Sequence, residues 1–212
     1  CVVDTTGSTQ PRAMAFLVGE LRREVDVPIE VHTHNDLGLG VASSLAAVEA
    51  GAEVIQVCVN GLGERCGNAA LEEVAVCLKA VLGVDVNIKF EKLAELSRLV
   101  ERLSGVRLAA NKALVGDIAF TRESGLGIDA LQRELRVGYS IHPEFVGRKF
   151  RMVLGKKSGR PSIEIKLKEM GQEATEEEMR TMLDRVKRRS IEKKAWLEDE
   201  EFREIVRDVL GR

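Results

Sequence analysis

The beginning of the chain alternates short apolar runs with longer stretches whose apolar residues recur at helical spacing. The run CVVD at residues 1–4 predicts a short buried strand. A helix is predicted from Pro11 to about Glu24, because proline suits the first helical position. The apolar face of this helix is predicted to carry Phe16, Leu17 and Leu21.

The same alternation continues to residue 83. Strands are predicted at residues 29–32 and 52–60, and helices at residues 40–51 and 68–83. Each predicted strand is therefore followed by a helix of ordinary length. Strand–helix alternation of this kind predicts βαβ units and a parallel sheet, which makes the fold class α/β.

The pattern changes after residue 83. One more helix is predicted at residues 91–104, and residues 105–162 are loop-rich, with many glycines and weak periodicity. From Glu164 onward the charge rises and apolar positions return at helical spacing, which predicts two or three amphipathic helices. The predicted domains are a catalytic α/β domain, a loop-rich linker subdomain and a helical C-terminal subdomain, at residues 1–104, 105–160 and 161–212.

The first residues of the chain indicate whether it is a complete α/β unit or part of a larger protein. The chain starts inside a predicted strand and without a methionine. Three strands cannot close an eight-stranded barrel, and a parallel sheet of three strands leaves its edges bare. The chain is thus either a small open α/β unit or the C-terminal piece of a larger protein, and we favour the piece.

The composition indicates a soluble globular protein and gives no sign of a nucleic acid or membrane partner. Apolar residues make up 44% of the chain and charged residues 31%, as in soluble globular proteins. A net charge of −2 gives no reason to expect nucleic acid or a membrane surface as a partner. The four cysteines show no CxxC spacing, which favours reduced thiols in the cytoplasm.

The stretch VHTHNDLGLG at residues 31–40 holds two of the three histidines of the chain. Since alternate side chains of a strand point to the same face, His32 and His34 are predicted to share a face at the strand's carboxyl end. Parallel α/β folds keep their active sites at that end, and two neutral imidazoles can bind a divalent metal there. The alternative, two histidines hydrogen-bonded in a turn, stays open.

A second polar loop, NGLGERCGN at residues 60–68, follows the third predicted strand. It combines glycines with Glu64, Arg65 and Asn68 immediately before a helix. The structural alternative is a glycine-rich turn in which Asn68 caps that helix. Two polar loops at the same end of adjacent strands favour a functional site.

Residues 31–74, VHTHNDLGLGVASSLAAVEAGAEVIQVCVNGLGERCGNAALEEV, resemble a signature of the Claisen-condensing acyltransferases. These are the isopropylmalate, homocitrate and citramalate synthases. DTTG at residues 4–7 resembles the family's DTxG, and FTRESG (120–125) and VLGKKSG (153–159) resemble FxHESGIH and VLGKHSG. The resemblance implies the C-terminal part of a (β/α)8 TIM barrel, followed by a mostly helical subdomain region.

The resemblance also implies a set of site residues. A divalent metal, Mg²⁺, Mn²⁺ or Zn²⁺, would be held by His32, His34 and Asn68, and by the aspartate of an Asp-Arg-Glu motif that this chain lacks. Thr5 would bind the carboxylate of the substrate. Glu64 would take part in catalytic proton transfer.

The implied activity is condensation of the co-substrate acetyl-CoA with a 2-oxo acid, in a cytoplasmic homodimer. No nucleic acid or membrane partner is implied. One alternative is a lyase that cleaves the carbon–carbon bond, although such lyases carry a different, cysteine-containing glycine loop. Another is a non-catalytic relative that keeps the metal site. Glu64 and Arg65 favour a synthase.

The chain departs from the family in one motif. Where the family reads SGIH, the matching residues are Ser124, Gly125, Leu126 and Gly127, and Arg122 replaces the histidine before the glutamate. Both family histidines of this loop are therefore absent, which puts the usual acid–base partner of Glu64 in doubt.

Three residues of the same region are candidates to replace the missing histidine, namely Glu123, Tyr139 and His142. We rank His142 first, because histidine is the side chain whose ordinary pKa lies near neutrality. The alternative is that His142 is an exposed loop residue.

Overall fold

The computed structural model describes residues 1–125 and 127–211. Cys1–Ala119 and Glu144–Arg148 form one compact unit, and Phe120–Pro143 and Lys149–Arg212 form a second. The division of the chain into three functional domains stays a prediction.

The first unit contains a parallel sheet of three strands in the order β1–β2–β3. Val2 pairs with Val31, and Glu30 pairs with Val54, both in parallel register. The predicted parallel βαβ arrangement is confirmed. The elements are β1 (Val2–Asp4), α1 (Pro11–Glu24), β2 (Glu30–Thr33), α2 (Gly40–Glu49), β3 (Val54–Gln56), α3 (Leu71–Ala80) and α4 (Leu93–Ser104).

The core of this unit lies between α1, α2 and β2. Met14 and Val18 are four residues apart, so they share one face of α1, and they pack with Val31 of β2. The predicted apolar face of α1 was wrong in part. Leu21 packs against this core, but the side chain of Phe16 is 70% exposed and Leu17 is exposed as well.

The third β/α unit is shorter than the sequence pattern indicated. The strand predicted at residues 52–60 forms only at Val54–Gln56, and its predicted end lies in a 3-10 turn where Asn60 adopts a left-handed φ of 62°. The helix predicted from residue 68 begins at Leu71. Asn68 and Ala70 are instead held in isolated β-bridges, with His34 and with Cys58 respectively.

In its described residues, the second unit contains a two-stranded parallel sheet and four α-helices. The strands are β4 (Thr121–Arg122) and β5 (Arg151–Met152), and the helices are α5 (Ile128–Arg133), α6 (Arg160–Glu169), α7 (Glu176–Lys193) and α8 (Asp199–Leu210). The last three are the predicted amphipathic segments. They enclose a core that includes Ile163, Met182 and Phe202. The small sheet lies in the region predicted to be loop-rich.

None of the helices in the described part of the chain is long and apolar enough to cross a membrane. All four cysteines lie in the described residues and form no disulfide there.

Candidate metal and substrate site

Three loops at the carboxyl ends of β1, β2 and β3 are joined by hydrogen bonds between their backbones. The amide of Asn35, after β2, donates to the carbonyl of Gly67, after β3, over 2.9 Å. The amide of Leu37 donates to the carbonyl of Gly7, after β1, over 3.3 Å. The two polar loops predicted from sequence therefore form one surface together with the DTTG turn.

His32 and His34 lie side by side on this surface, with ring centroids 4.8 Å apart. Nδ1 of His34 lies 3.0 Å from the carbonyl oxygen of Asp4, and Nδ1 of His32 lies 2.7 Å from Oε1 of Gln56. Because both partners are oxygens that can only accept, each Nδ1 carries the proton and donates. Each ring is thereby left with a lone pair on Nε2, which is the form that binds a metal.

Asn68 completes this group. Its Nδ2 lies 3.0 Å from Nε2 of His32, and its Oδ1 accepts a hydrogen bond from Sγ of Cys58 over 3.7 Å. The side-chain amide carries an acceptor and a donor at its two ends, so half a turn brings Oδ1 to the position of Nδ2. Asn68 is buried and does not cap α3, whose N-cap is Ala70.

These three side chains fit a divalent cation in their chemistry. Two imidazole nitrogens and an amide oxygen are ligand types that suit Mg²⁺, Mn²⁺ or Zn²⁺ when a carboxylate and water complete the set. Within the described residues, no group of three or more His, Cys, Asp or Glu side chains is placed to hold a metal ion. The chain thus contributes neutral donors at this surface.

Arg65 ties the three loops together through its side chain. Its Nε and Nη2 donate to the two carboxylate oxygens of Asp36 over 2.8 and 3.2 Å, and Nη2 also donates to the carbonyl oxygen of Thr5 over 2.6 Å. The hydrogen bond from Arg65 lowers the pKa of Asp36, and Asp36 in turn raises the pKa of Arg65. The fork of guanidinium donors matches the carboxylate, so the pair is directional.

Arg65 also brings Thr5 and Glu64 to the same edge. Oε2 of Glu64 lies 3.5 Å from Nη1 of Arg65, and the Glu64 side chain is 77% exposed. Thr5, whose carbonyl accepts from Arg65, is exposed as well. The predicted site residues therefore fall into two groups, one of His32, His34 and Asn68 in direct contact, and one of Thr5 and Glu64 gathered around Arg65.

Gly63 leaves the space that the Asn68 side chain fills. A Cβ atom on Gly63 would overlap Oδ1 of Asn68. The backbone of Gly63 is not left-handed, so alanine would not strain it. Alanine at this position would therefore displace the Asn68 amide, and its Cβ would also lie 3.2 Å from Cα of Gly67.

We expect Gly63→Ala in the full-length protein to lower its affinity for Mn²⁺ by about 10–100-fold, the cost of disturbing a ligand's support. The melting temperature should change little, because Asn68 can rotate away. Calorimetric titration with Mn²⁺ measures the first and thermal unfolding the second. Gly19→Ala in α1, where an added Cβ meets nothing within 4 Å, is the control and should leave the affinity unchanged.

A buried polar cluster under the glycine loop escaped the sequence analysis. The backbone amide of Asn60 donates to Oε2 of Glu72 over 3.0 Å. The Asn60 side chain donates to the carbonyl of Ser97 over 3.0 Å and accepts from the Ser97 hydroxyl over 2.5 Å. These bonds hold Asn60 in the left-handed conformation that starts the loop. The sequence feature that could have indicated this cluster is the acidic residue Glu72, which lies on the same face of α3 as Ala75 and Val76.

The Glu72 carboxyl is 1% exposed, and this burial raises its pKa above the ordinary 4.5. A raised pKa in the folded state means that the contribution of Glu72 to stability is full below pH 4.5 and is lost as the pH rises through the raised value. Glu72→Gln should remove this dependence. We expect wild type to lose stability relative to Glu72→Gln in thermal unfolding as the pH rises above 4.5, and an equal change in both proteins would contradict the assignment.

In the second unit, Arg122 and Gly127, the two positions that match family histidines, lie close to each other. A Cβ on Gly127 would lie 4.0 Å from Nη2 of Arg122, with no nearer atom. Gly127 has a φ of 71°, which glycine tolerates and other residues rarely adopt. Leu126, which the motif match includes, lies outside the described residues.

The three candidates for a replacement proton carrier have different surroundings. Oε1 of Glu123 accepts from the amide of Lys157 over 2.9 Å. Tyr139 is half-buried, with its ring 5.6 Å from that of Phe120, and burial raises its pKa.

His142 is an exposed residue, as the structural alternative had it. Its Nε2 lies 3.4 Å from Oε1 of Glu134. Hydrogen bonds from Arg136 lower the pKa of Glu134 to about 2, so His142 faces a permanent negative charge.

Two known protein families together match most of the sequence. Residues 2–100 match a family described as HMGL-like, and residues 114–194 match one described as homocitrate synthase post-HMGL domain-like. The surface formed by the three loops lies entirely within the first match.

Similar proteins come from archaea. The chain is 45% identical to 2-isopropylmalate synthase of Methanocaldococcus jannaschii over 100% of this chain and 41% of the relative. It is 47% identical to homocitrate synthase AksA of Methanopyrus kandleri over 98% of this chain and 52% of the relative. It is 42% identical to (R)-citramalate synthase CimA of M. jannaschii over 100% and 43%. The chain spans about half the length of these curated relatives.

Proposed function

The chain belongs to the HMGL-like family, continued by the homocitrate synthase post-HMGL domain-like family, and on that premise we propose that the protein condenses acetyl-CoA with a 2-oxo acid. The family match and the three parallel β/α units confirm the expected fold class, part of a (β/α)8 barrel followed by a mostly helical region. The observation that carries the proposed function is the contact of the His32 side chain with those of His34 and Asn68, while Nδ1 of each histidine donates to an oxygen.

The proposal includes a divalent metal ion at these residues. Nε2 of His32, Nε2 of His34 and the amide oxygen of Asn68 would hold it, and the family's further ligand, the aspartate of an Asp-Arg-Glu motif, has no match in residues 1–212. When bound, Mg²⁺, Mn²⁺ or Zn²⁺ polarises the ketone of the 2-oxo acid as a Lewis acid. The ligand types do not select among the three ions.

The other residues bind the substrate and move protons. Thr5 binds the carboxylate of the 2-oxo acid, and Arg65 fixes the turn that carries Thr5 through the Thr5 carbonyl. Glu64, beside Arg65, takes part in proton transfer. The acetyl methyl group loses a proton, its carbon bonds to the ketone carbon, the ketone oxygen gains a proton, and water then cleaves the thioester to release CoA.

Glu64 needs an acid–base partner, because the family histidines of the ESG loop are absent. His142 remains our first candidate for that role, ahead of Glu123 and Tyr139. His142→Ala should then lower the condensation rate by roughly 10²–10⁴-fold, as expected for loss of one positioned proton carrier. An unchanged rate would exclude His142. Restoring a histidine at Gly127 is the less informative test, since its left-handed φ of 71° would strain the new residue.

A thiol-release assay on the full-length protein tests the proposed activity. Acetyl-CoA is supplied with a panel of 2-oxo acids, with and without Mg²⁺, Mn²⁺ or Zn²⁺. We expect CoA release that requires one 2-oxo acid and the metal, and that stops when the metal is chelated. Cleavage of a hydroxyacyl product without condensation would indicate the lyase. Inactivity with every 2-oxo acid would indicate the non-catalytic relative.

The lyase is the less favoured alternative, because the relatives at 42–47% identity carry the names of synthases. We also propose that the protein is a cytoplasmic homodimer that acts on small molecules. Size-exclusion chromatography with light scattering measures the mass of the full-length protein, and a monomer would contradict the dimer.

A further inference from the structure

Gln56 lies beside His32 on the neighbouring strand. The two residues are register partners in the parallel pair of β2 and β3, and Oε1 of Gln56 lies 2.7 Å from Nδ1 of His32. We infer that Gln56 is a positioning residue that holds His32 in the Nδ1-protonated tautomer, so that Nε2 keeps the lone pair that would bind the divalent ion. This inference rests on the proposed function, since it assigns support for the same metal site.

The direction of the hydrogen bonds through His32 follows from its two partners. Nδ2 of Asn68, 3.0 Å from Nε2 of His32, can only donate, so Nε2 is the acceptor. A neutral ring that accepts at Nε2 carries its proton on Nδ1, and this proton points to Oε1 of Gln56. The thiol of Cys58 fixes the same orientation of Asn68, because it donates to Oδ1.

His34 obtains the same tautomer in a different way. Its Nδ1 donates to the backbone carbonyl of Asp4, at the end of β1. No substitution removes a backbone carbonyl, so the tautomer of His34 does not depend on a side chain. The tautomer of His32 depends on side chains, with Gln56 as the acceptor at Nδ1 and Asn68 as the donor at Nε2. A substitution of the hydrogen-bond partner at Nδ1 can therefore change the tautomer of His32 but not that of His34.

The side chain at position 56 also affects the basicity of His32 Nε2 and therefore how tightly this atom binds a cation. A partner that accepts from Nδ1–H increases the basicity of Nε2, and a carboxylate does so more strongly than a neutral amide. Gln56→Glu should thus keep the tautomer and bind the ion at least as tightly as wild type. Gln56→Leu has no acceptor and should weaken binding by about 10–100-fold, the range known for supporting partners of metal ligands.

Two readouts on the full-length protein test this inference. Nitrogen-15 spectra of the histidine rings in the metal-free protein should show both His32 and His34 protonated at Nδ1. In Gln56→Leu the His32 signals should move toward the Nε2-protonated form, while those of His34 stay in place. Calorimetric titration with Zn²⁺ should show the loss of affinity in Gln56→Leu and its recovery in Gln56→Glu. Val54→Leu, also exposed on β3, is the matched control and should match wild type.

Unchanged His32 signals in Gln56→Leu would overturn the inference, as would a changed tautomer with wild-type affinity for Zn²⁺. A wild-type protein that binds no divalent ion would overturn the proposed function instead. The spectra of the metal-free protein would then still decide whether Gln56 holds the tautomer, so the two failures are distinguishable.

Discussion

His34→Ala in the full-length protein is expected to lower the affinity for Mn²⁺ by more than about 100-fold, beyond the loss caused by disturbing an outer partner of a metal ligand. The physical reason is that the lone pair of His34 Nε2 is oriented before the metal binds. The hydrogen bond to the Asp4 carbonyl fixes the ring, and the residue is buried, with 8% of its surface exposed. Alanine removes both the donor and the fixed geometry. Calorimetric titration measures the affinity, and elemental analysis of purified protein measures the metal content.

The third histidine of the chain supplies the control for this experiment. His142→Ala removes the same atoms from an exposed position in the second unit, and it should leave the affinity for Mn²⁺ at the wild-type value. Equal affinities in all three proteins would remove His34 from the metal site. Equal losses in both variants would show that the effect is not specific to the site.

Gly67→Ala is expected to produce the largest loss of stability among single substitutions in the loops. Gly67 has a φ of 84°, and a Cβ there would overlap the carbonyl oxygen of Gly61. That carbonyl accepts from the amide of Asn68, and the Gly67 carbonyl accepts from Asn35. Backbone strain plus loss of both bonds should cost at least about 4 kcal/mol of unfolding free energy.

Gly83→Ala is the matched control for Gly67→Ala. Gly83 has a similar left-handed φ of 68°, but an added Cβ meets nothing within 4 Å. It should cost only about 1–2 kcal/mol, the price of a left-handed alanine. Chemical denaturation of the full-length protein measures both, and Mn²⁺ titration should show weakened binding in Gly67→Ala alone. Similar losses of stability in the two variants would mean that the packing of Gly67 against Gly61 does not matter.

The sequence pattern predicted the fold best where the elements are long and regular. The helix Pro11–Glu24 has the predicted bounds because proline marks its start and its periodicity is uninterrupted. β3 was predicted too long, since an apolar run does not reveal that Asn60 turns the backbone left-handed. β4 and β5 have two residues each, which is too short for any period to show.

The candidate site was predictable to the extent that its residues lie in contiguous motifs. His32, His34 and Asn68 were identified from spacing and resemblance, and the structure brings them into contact. Gln56 could not be found in this way, because its partnership with His32 depends on the register of two strands. Glu72 was missed because an acidic residue in the first turn of a helix is usually exposed, and its burial depends on packing beside Asn60 that the sequence pattern does not show.

X-ray absorption spectroscopy at the zinc edge tests the central claim most directly, on the full-length protein loaded with one equivalent of Zn²⁺. The structure predicts nitrogen and oxygen neighbours at about 2.0–2.2 Å, with outer-shell scattering from two imidazole rings in wild type and from one in His34→Ala. A sulfur neighbour at about 2.3 Å, which would place a cysteine on the metal, would contradict it, as would a spectrum without imidazole scattering.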